Sequence, residues 1–218
     1  MARRFEMIVF DWDGTLMDSA AAIVTALQTA CRDLAIEPPS DQRARHIIGL
    51  GLQDALQAAL PDLPPARYRE LAERYRHHYL AHDHELALFD GAYDLVQMLA
   101  DAGHLLAVAT GKTRKGLDRA MQGSGLQASF HASRCADECH SKPHPQMLLE
   151  LMDEFAVAPE NTRMIGDTTH DLLMARNAKV GFLAVAYGAH PRAVLEAEQP
   201  LWCAADVAEM QAWLLRNA

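Results

Sequence analysis

The sequence predicts an α/β fold, a doubly wound parallel sheet with a small α-helical domain inserted after its first strand. Three observations carry this. Short apolar, β-branched runs recur at residues 5–10, 104–109, 163–165 and 180–186. Helical patterns separate the later runs, and strands alternating with helices build parallel sheets through right-handed crossovers. Between residues 19 and 88 the strand signal disappears and the chain reads as helices alone.

Taken in order, the first run is broken only by Glu6 and ends at the acidic loop Asp11-Trp12-Asp13-Gly14-Thr15, so it reads as a buried strand with that loop at its carboxyl end. Helices are expected over 20–34, 41–48, 53–60 and 66–81, with Pro38-Pro39-Ser40 breaking the first from the second. The chain returns to the sheet near Phe89-Asp90-Gly91. The expected division is therefore a core of 1–18 and 89–218 and a cap of 19–88, with the two crossings as a hinge. A helix over 144–155, a short strand near 201–204 and a closing helix over 206–216 complete the reading. Met98, Trp202 and Trp213 sit at helical or strand spacing and are expected in the core.

Composition excludes several functions. The 218 residues are 50% hydrophobic and 22% charged, ordinary values for a folded chain able to bury a core. A net charge of -9 with no visible basic cluster repels a polyanion, so nucleic acid is not an expected partner. Asp11, Asp13 and Asp18 interrupt the apolar stretch after the basic start too early for a signal peptide, and no window approaches a membrane span. Four scattered cysteines, Cys31, Cys135, Cys139 and Cys203, read as reduced thiols, and the expected location is cytoplasmic.

In a parallel sheet, ligands bind beyond the carboxyl ends of the strands. The residues predicted there are Asp11 and Asp13, Thr110-Gly111-Lys112, and Gly166-Asp167 with Asp171; Ser141-Lys142-Pro143 lies in a loop just before a helix. Carboxylates, a hydroxyl and a lysine converging on one sheet edge suit phosphoryl transfer, because carboxylates hold a hard cation that neutralises phosphate oxygens. An isolated Asp-x-Asp could as well cap a helix. The full set, in order, favours chemistry.

These four motifs, Asp11-Trp12-Asp13-Gly14-Thr15, Thr110, Lys142-Pro143 and Gly166-Asp167 with Asp171, resemble those of the haloacid dehalogenase superfamily of phosphohydrolases. The insert after the first motif is similar to that of its phosphoglycolate phosphatase-like branch. The resemblance implies a Rossmann-like core and a Mg²⁺-dependent phosphatase acting on a small phosphorylated metabolite, with phosphoglycolate as a first guess. It makes Asp11 the nucleophile that becomes an aspartyl phosphate. Asp13 is then the general acid and base. Gly14 gives the turn room. The Thr110 hydroxyl and Gly111 amide would bind a phosphate oxygen, and Lys142 would offset negative charge. Asp167, Asp11 and the backbone carbonyl of Asp13 would hold Mg²⁺, with Asp171 in support.

Other features receive plainer readings. Asp18 and Ser19 are expected to cap the first helix. Cys135, Cys139, His140 and His144 have zinc-ligand chemistry but no standard ligand spacing, and are expected in a loop leading to Lys142. His77, His78, His82 and His84 are expected on a solvated face. Arg45, His46 and the turn Gly49-Leu50-Gly51 are cap candidates for substrate contact, with a plain helix break an equal reading of the two glycines. Trp12 is expected to press on the cap and narrow the pocket. A sugar phosphomutase shares the phosphoaspartate and is one alternative; a non-catalytic binding module is another. A carbon–phosphorus hydrolase is disfavoured because it resembles this layout only with a cap lysine, and residues 19–88 contain none. A dehalogenase is disfavoured by Asp13 and Asp167.

Overall fold

The computed structural model describes residues 5–217. Six strands, β1 (Met7–Phe10), β2 (Leu105–Thr110), β3 (Ala132–Cys135), β4 (Thr162–Gly166), β5 (Gly181–Val185) and β6 (Trp202–Ala204), form one parallel sheet in the order β3-β2-β1-β4-β5-β6. The sheet is the predicted α/β architecture. All four residues of β1 are buried, as both faces of a central parallel strand must be. Side chains alternate across it: Ile8 and Phe10 join Val108, Ile165 and Leu95 on one face, and Met7 and Val9 join Ala107, Met164 and Leu151 on the other.

The chain runs outward from β1 through β2 to β3, then crosses back to β4 on the other side of β1. That reversal opens a crevice at the carboxyl edge between β1 and its neighbours. The strand β3 is missing from the sequence reading, which put Cys135 in a loop. It is a four-residue edge strand, Ala-Ser-Arg-Cys, with only Cys135 fully buried, so no apolar run announces it.

Between β1 and α5 (Ala92–Asp101) lie α1 (Ala20–Asp33), α2 (Asp41–His46), α3 (Leu52–Ala59) and α4 (Tyr68–His82). They bury their own cluster, including Ile23, Leu27, Ile48, Leu56 and Leu71. The two crossings between sheet and insert lie side by side. Asp18 N donates to the Ala87 carbonyl at 3.0 Å, and Phe89 N to the Leu16 carbonyl at 2.9 Å. The remaining helices are α6 (Arg114–Ser124), α7 (Gln146–Phe155), α8 (Thr169–Asn177), α9 (Arg192–Ala197) and α10 (Val207–Asn217). Among the described residues, no helix is long and apolar enough to cross a membrane.

Candidate active site

Asp11 continues β1, its amide donating to the Ile165 carbonyl at 2.9 Å, so the nucleophile candidate is fixed by the sheet ladder itself. Its carboxylate is fully buried. Oδ1 faces Lys142 Nζ at 2.7 Å, and Oδ2 has no hydrogen-bond donor among the described residues. The same ammonium reaches Asp171 Oδ1 at 2.6 Å. Asp171 is itself held: its Oδ2 accepts from the Thr168 hydroxyl at 2.6 Å and the Thr168 amide at 3.1 Å, a capping box at the start of α8. Asp167 Oδ1 accepts from the Thr15 hydroxyl at 2.9 Å and Oδ2 from the Ala189 amide at 2.6 Å. Gly14 makes this approach possible. Its φ is +81°, and a Cβ there would run into the Asp167 carboxylate.

Asp11, Asp167 and Asp171 thus offer three buried carboxylates within 4.8 Å of one another. Among the described residues only Lys142 answers them with an ion pair, so three carboxylates face one ammonium. The proton affinities register the strain. Burial pushes the Asp11 carboxyl well up, against the pull of Lys142, and the Asp171 and Asp167 carboxylates add to the rise. Burial, then the Asp171 carboxylate, pushes Asp167 up to about 7, with the Ala189 amide and Thr15 hydroxyl opposing. Burial alone would lower the Lys142 ammonium, but Asp11 and Asp171 outweigh it and hold the lysine charged. A hard, oxygen-seeking divalent cation fits this set: it matches the residual charge and takes the lone pairs left on Asp11.

Asp13 lies on the outer side of the same loop. Its Oδ1 accepts from the Ser19 hydroxyl at 2.7 Å and pairs with Lys112 Nζ at 3.0 Å. Lys112 also donates to the Tyr79 hydroxyl at 2.9 Å, so the last helix of the insert contacts the proton-transfer candidate through one lysine. Ser19 occupies the N-cap position of α1, yet its side chain makes no capping bond; it serves Asp13 instead, which corrects the capping role expected of it. Thr110 ends β2, fully buried, and its hydroxyl accepts from the Lys112 amide at 3.2 Å.

The turn Gly49-Leu50-Gly51 lies over the site. A Cβ on Gly49 would come within 3.7 Å of Asp11 Oδ2, and one on Gly111 within 2.6 Å of the Gly49 carbonyl oxygen. The Gly51 amide donates to Ser141 Oγ at 2.8 Å, tying the turn to the loop that carries Lys142. A second tie holds the end of α2, where the His46 carbonyl accepts from His170 Nε2 at 2.7 Å and His190 Nε2 at 3.1 Å. Arg45, the neighbouring candidate, does not line the cavity beside Asp13.

That cavity, about 380 Å³, is lined by α1, α3, α4, the turn and the first part of α6, with Asp13, Gly111 and Lys112 at its core end. Trp12 is not in its lining. The indole shares the face of Phe10 two residues earlier and is fully buried in the sheet's core, its ring centroid 6.3 Å from that of Phe130. It does not narrow this cavity; toward the insert it borders a second one, together with Tyr79, Asp83, His84 and Leu86.

With strand order, insert and carboxylate site in place, the class is defined. The chain belongs to the haloacid dehalogenase-like hydrolase family, whose model matches residues 8–185. It is 37% identical to "Probable phosphatase IndB" of Dickeya dadantii, over 89% of this chain and 86% of that one. It is 32% identical to a 5'-nucleotidase of Pseudomonas aeruginosa, over 96% of each chain. With a phosphoglycolate phosphatase of Agrobacterium fabrum it shares 30% over 84% of this chain and 81% of the other. Among solved structures, a haloacid dehalogenase-like family hydrolase from Streptococcus pneumoniae superposes with a TM-score of 0.83 at 26% identity, covering 96% and 98% of the two chains.

The sequence reading did not assign roles to Lys112, Tyr79, Thr15 or Ala189. Lys112 had a visible signal, since it follows Thr110-Gly111 directly and is one of only 4 lysines in the chain, at positions 112, 115, 142 and 179. Tyr79 and Ala189 had none, because their partners lie 33 and 22 residues away.

Proposed function

We propose that the protein is a Mg²⁺-dependent phosphomonoester hydrolase that works through a phosphoryl group carried on Asp11, with residues 19–88 as a cap over the site. The observation that carries this is the Asp11 carboxylate: fully buried, with Oδ2 left without a donor, opposed to a charged lysine and flanked by Asp167. The printed activities of the relatives, phosphatases and a nucleotidase, support the same class.

Asp11, Asp167 and the backbone carbonyl of Asp13 would hold the cation, with Asp171 in support through Lys142; bound there, Mg²⁺ neutralises phosphate oxygens and withdraws charge as transfer proceeds. Lys142 pairs with Asp11 Oδ1, which aims the carboxylate and offsets negative charge on the nucleophile and the phosphoryl group. Asp11 attacks phosphorus, the bond from phosphorus to the ester oxygen breaks, and Asp13 gives its proton to the departing oxygen. The Thr110 hydroxyl and the Gly111 amide bind the transferring group's oxygens. The alcohol leaves. Asp13, now a base, takes a proton from water, which attacks the phosphorus of the acyl phosphate and releases inorganic phosphate and free Asp11. Ser19 and Lys112 hold Asp13 at the boundary between phosphate and cavity, where both proton transfers occur.

Phosphate release from a panel of phosphomonoesters, with Mg²⁺ or with chelator, tests the proposal beside an Asp11→Asn control. Mg²⁺-dependent release that disappears in the control is expected. Release that persists in Asp11→Asn, or that ignores chelator, contradicts it.

A further inference from the structure

The cavity beside Asp13 says what kind of alcohol should leave. Much of its wall is Ile23, Leu27, Ile47, Ile48, Ala55 and Leu56, all buried and none with a side-chain polar group, beside the rings of Tyr75 and Tyr79. At about 380 Å³ it has room for roughly a dozen water-sized groups. The cations in its lining are spoken for or peripheral. Lys112 is bound to Asp13 and Tyr79, and Arg119 to Asp83 at 2.8 Å. Arg76 and Lys115 are exposed at the mouth, where they favour entry of an anionic ester. A small hydroxy acid in this chamber would set its carboxylate against aliphatic side chains and the neutral hydroxyls of Tyr75 and Thr113, with no interior cation left to pair it, and burying an unpaired charge is costly.

We propose that the site takes a phosphomonoester whose alcohol is largely apolar, about eight to twelve non-hydrogen atoms long, seated among the helices of the insert with its ester oxygen at Asp13. The hydrolysis of that ester rests on the function proposed above; its recognition does not, and the two are separable by experiment.

The test is a homologous series of n-alkyl phosphates from ethyl to octyl, assayed for phosphate release with Mg²⁺ and compared with phosphoglycolate. Binding of the matching n-alkylphosphonates, which cannot be hydrolysed, is measured in parallel by calorimetry. Each methylene withdrawn from water should raise kcat/KM and phosphonate affinity about fourfold, so four of them give about two-hundredfold, and hexyl phosphate should far exceed phosphoglycolate. Ala55→Phe, which fills the chamber, should move the plateau to shorter chains. Release and affinity that are flat with chain length, or a plateau that Ala55→Phe leaves in place, overturn the assignment while the phosphatase reading stands. A rising phosphonate affinity with no release from any ester upholds the chamber and sinks the phosphatase reading. Absence of both binding and release overturns both.

Discussion

Replacing Asp167 by Asn should make the metal-free protein more stable at pH 8 while abolishing its response to Mg²⁺. Asp167 is buried, and its folded-state affinity for a proton is raised from an ordinary 3.8 to about 7. A carboxyl raised in this way favours the fold while protonated: its contribution is fully present below pH 4 and is lost as pH rises through about 7. The whole loss is worth about 4 kcal/mol by the cost of moving a proton affinity this far. Asn removes that loss and can keep both contacts, its Oδ1 accepting from the Ala189 amide and its NH₂ donating to Thr15 Oγ1, at about 1 kcal/mol for turning that hydroxyl and exchanging the bond. The net gain is about 3 kcal/mol, or roughly 6–12 °C in Tm for a chain of this size. Thermal unfolding followed by circular dichroism in EDTA at pH 8 and pH 5, then with excess Mg²⁺, reads it directly. At pH 5 the advantage should shrink or reverse, and Mg²⁺ should stabilise the wild type alone. A variant less stable than the wild type at pH 8, or one that keeps the Mg²⁺ shift, would refute the reasoning.

Lys142→Met removes the ammonium bonded to both Asp11 and Asp171, and breaking a buried pair should cost the metal-free protein about 3–5 kcal/mol, seen as a fall of roughly 6–20 °C in Tm, with phosphate release lost. An unchanged melting curve would show that the cluster does not depend on this lysine. Tyr79→Phe deletes the hydroxyl that holds Lys112 and should lower kcat/KM about fivefold, as expected for one hydrogen bond of about 1 kcal/mol; steady-state kinetics at constant pH decides it. Gly111→Ala puts a methyl group against the Gly49 carbonyl, forcing the turn away from the site, so KM should rise and kcat/KM fall about tenfold or more. Full activity in that variant would mean that the turn need not lie over Asp11 for turnover.

Much of this was readable from residue order. The central strand had to be buried on both faces, so its four consecutive apolar residues located it, and the loop at its end followed. Local rules also found the helices between β1 and β2, which are periodic over many residues. The edge strand β3 escaped because a half-exposed strand of four residues carries no apolar run. Ser19 was misread for a related reason: it sits where a helix cap belongs, and only the fold of the Asp13 loop reveals that its hydroxyl has a better acceptor. Trp12 stays out of the main cavity because the alternation along its strand turns it toward Phe130. The cavity's apolar wall was legible only as helix core, because nothing along the chain distinguishes a leucine that packs on a neighbour from one that faces an open chamber.

The central claim is that the phosphoryl group passes through Asp11, and the most direct measurement is to trap it there. The enzyme is mixed with an ester it turns over in the presence of Mg²⁺, quenched within a turnover, reduced with borohydride and digested, and the peptide containing Asp11 is examined by mass spectrometry. Reduction of an acyl phosphate leaves an alcohol in place of the carboxyl, so Asp11 should appear as homoserine, in substrate-treated enzyme alone. Turnover that proceeds with Asp11 unmodified, or with the label on another residue, would contradict the account.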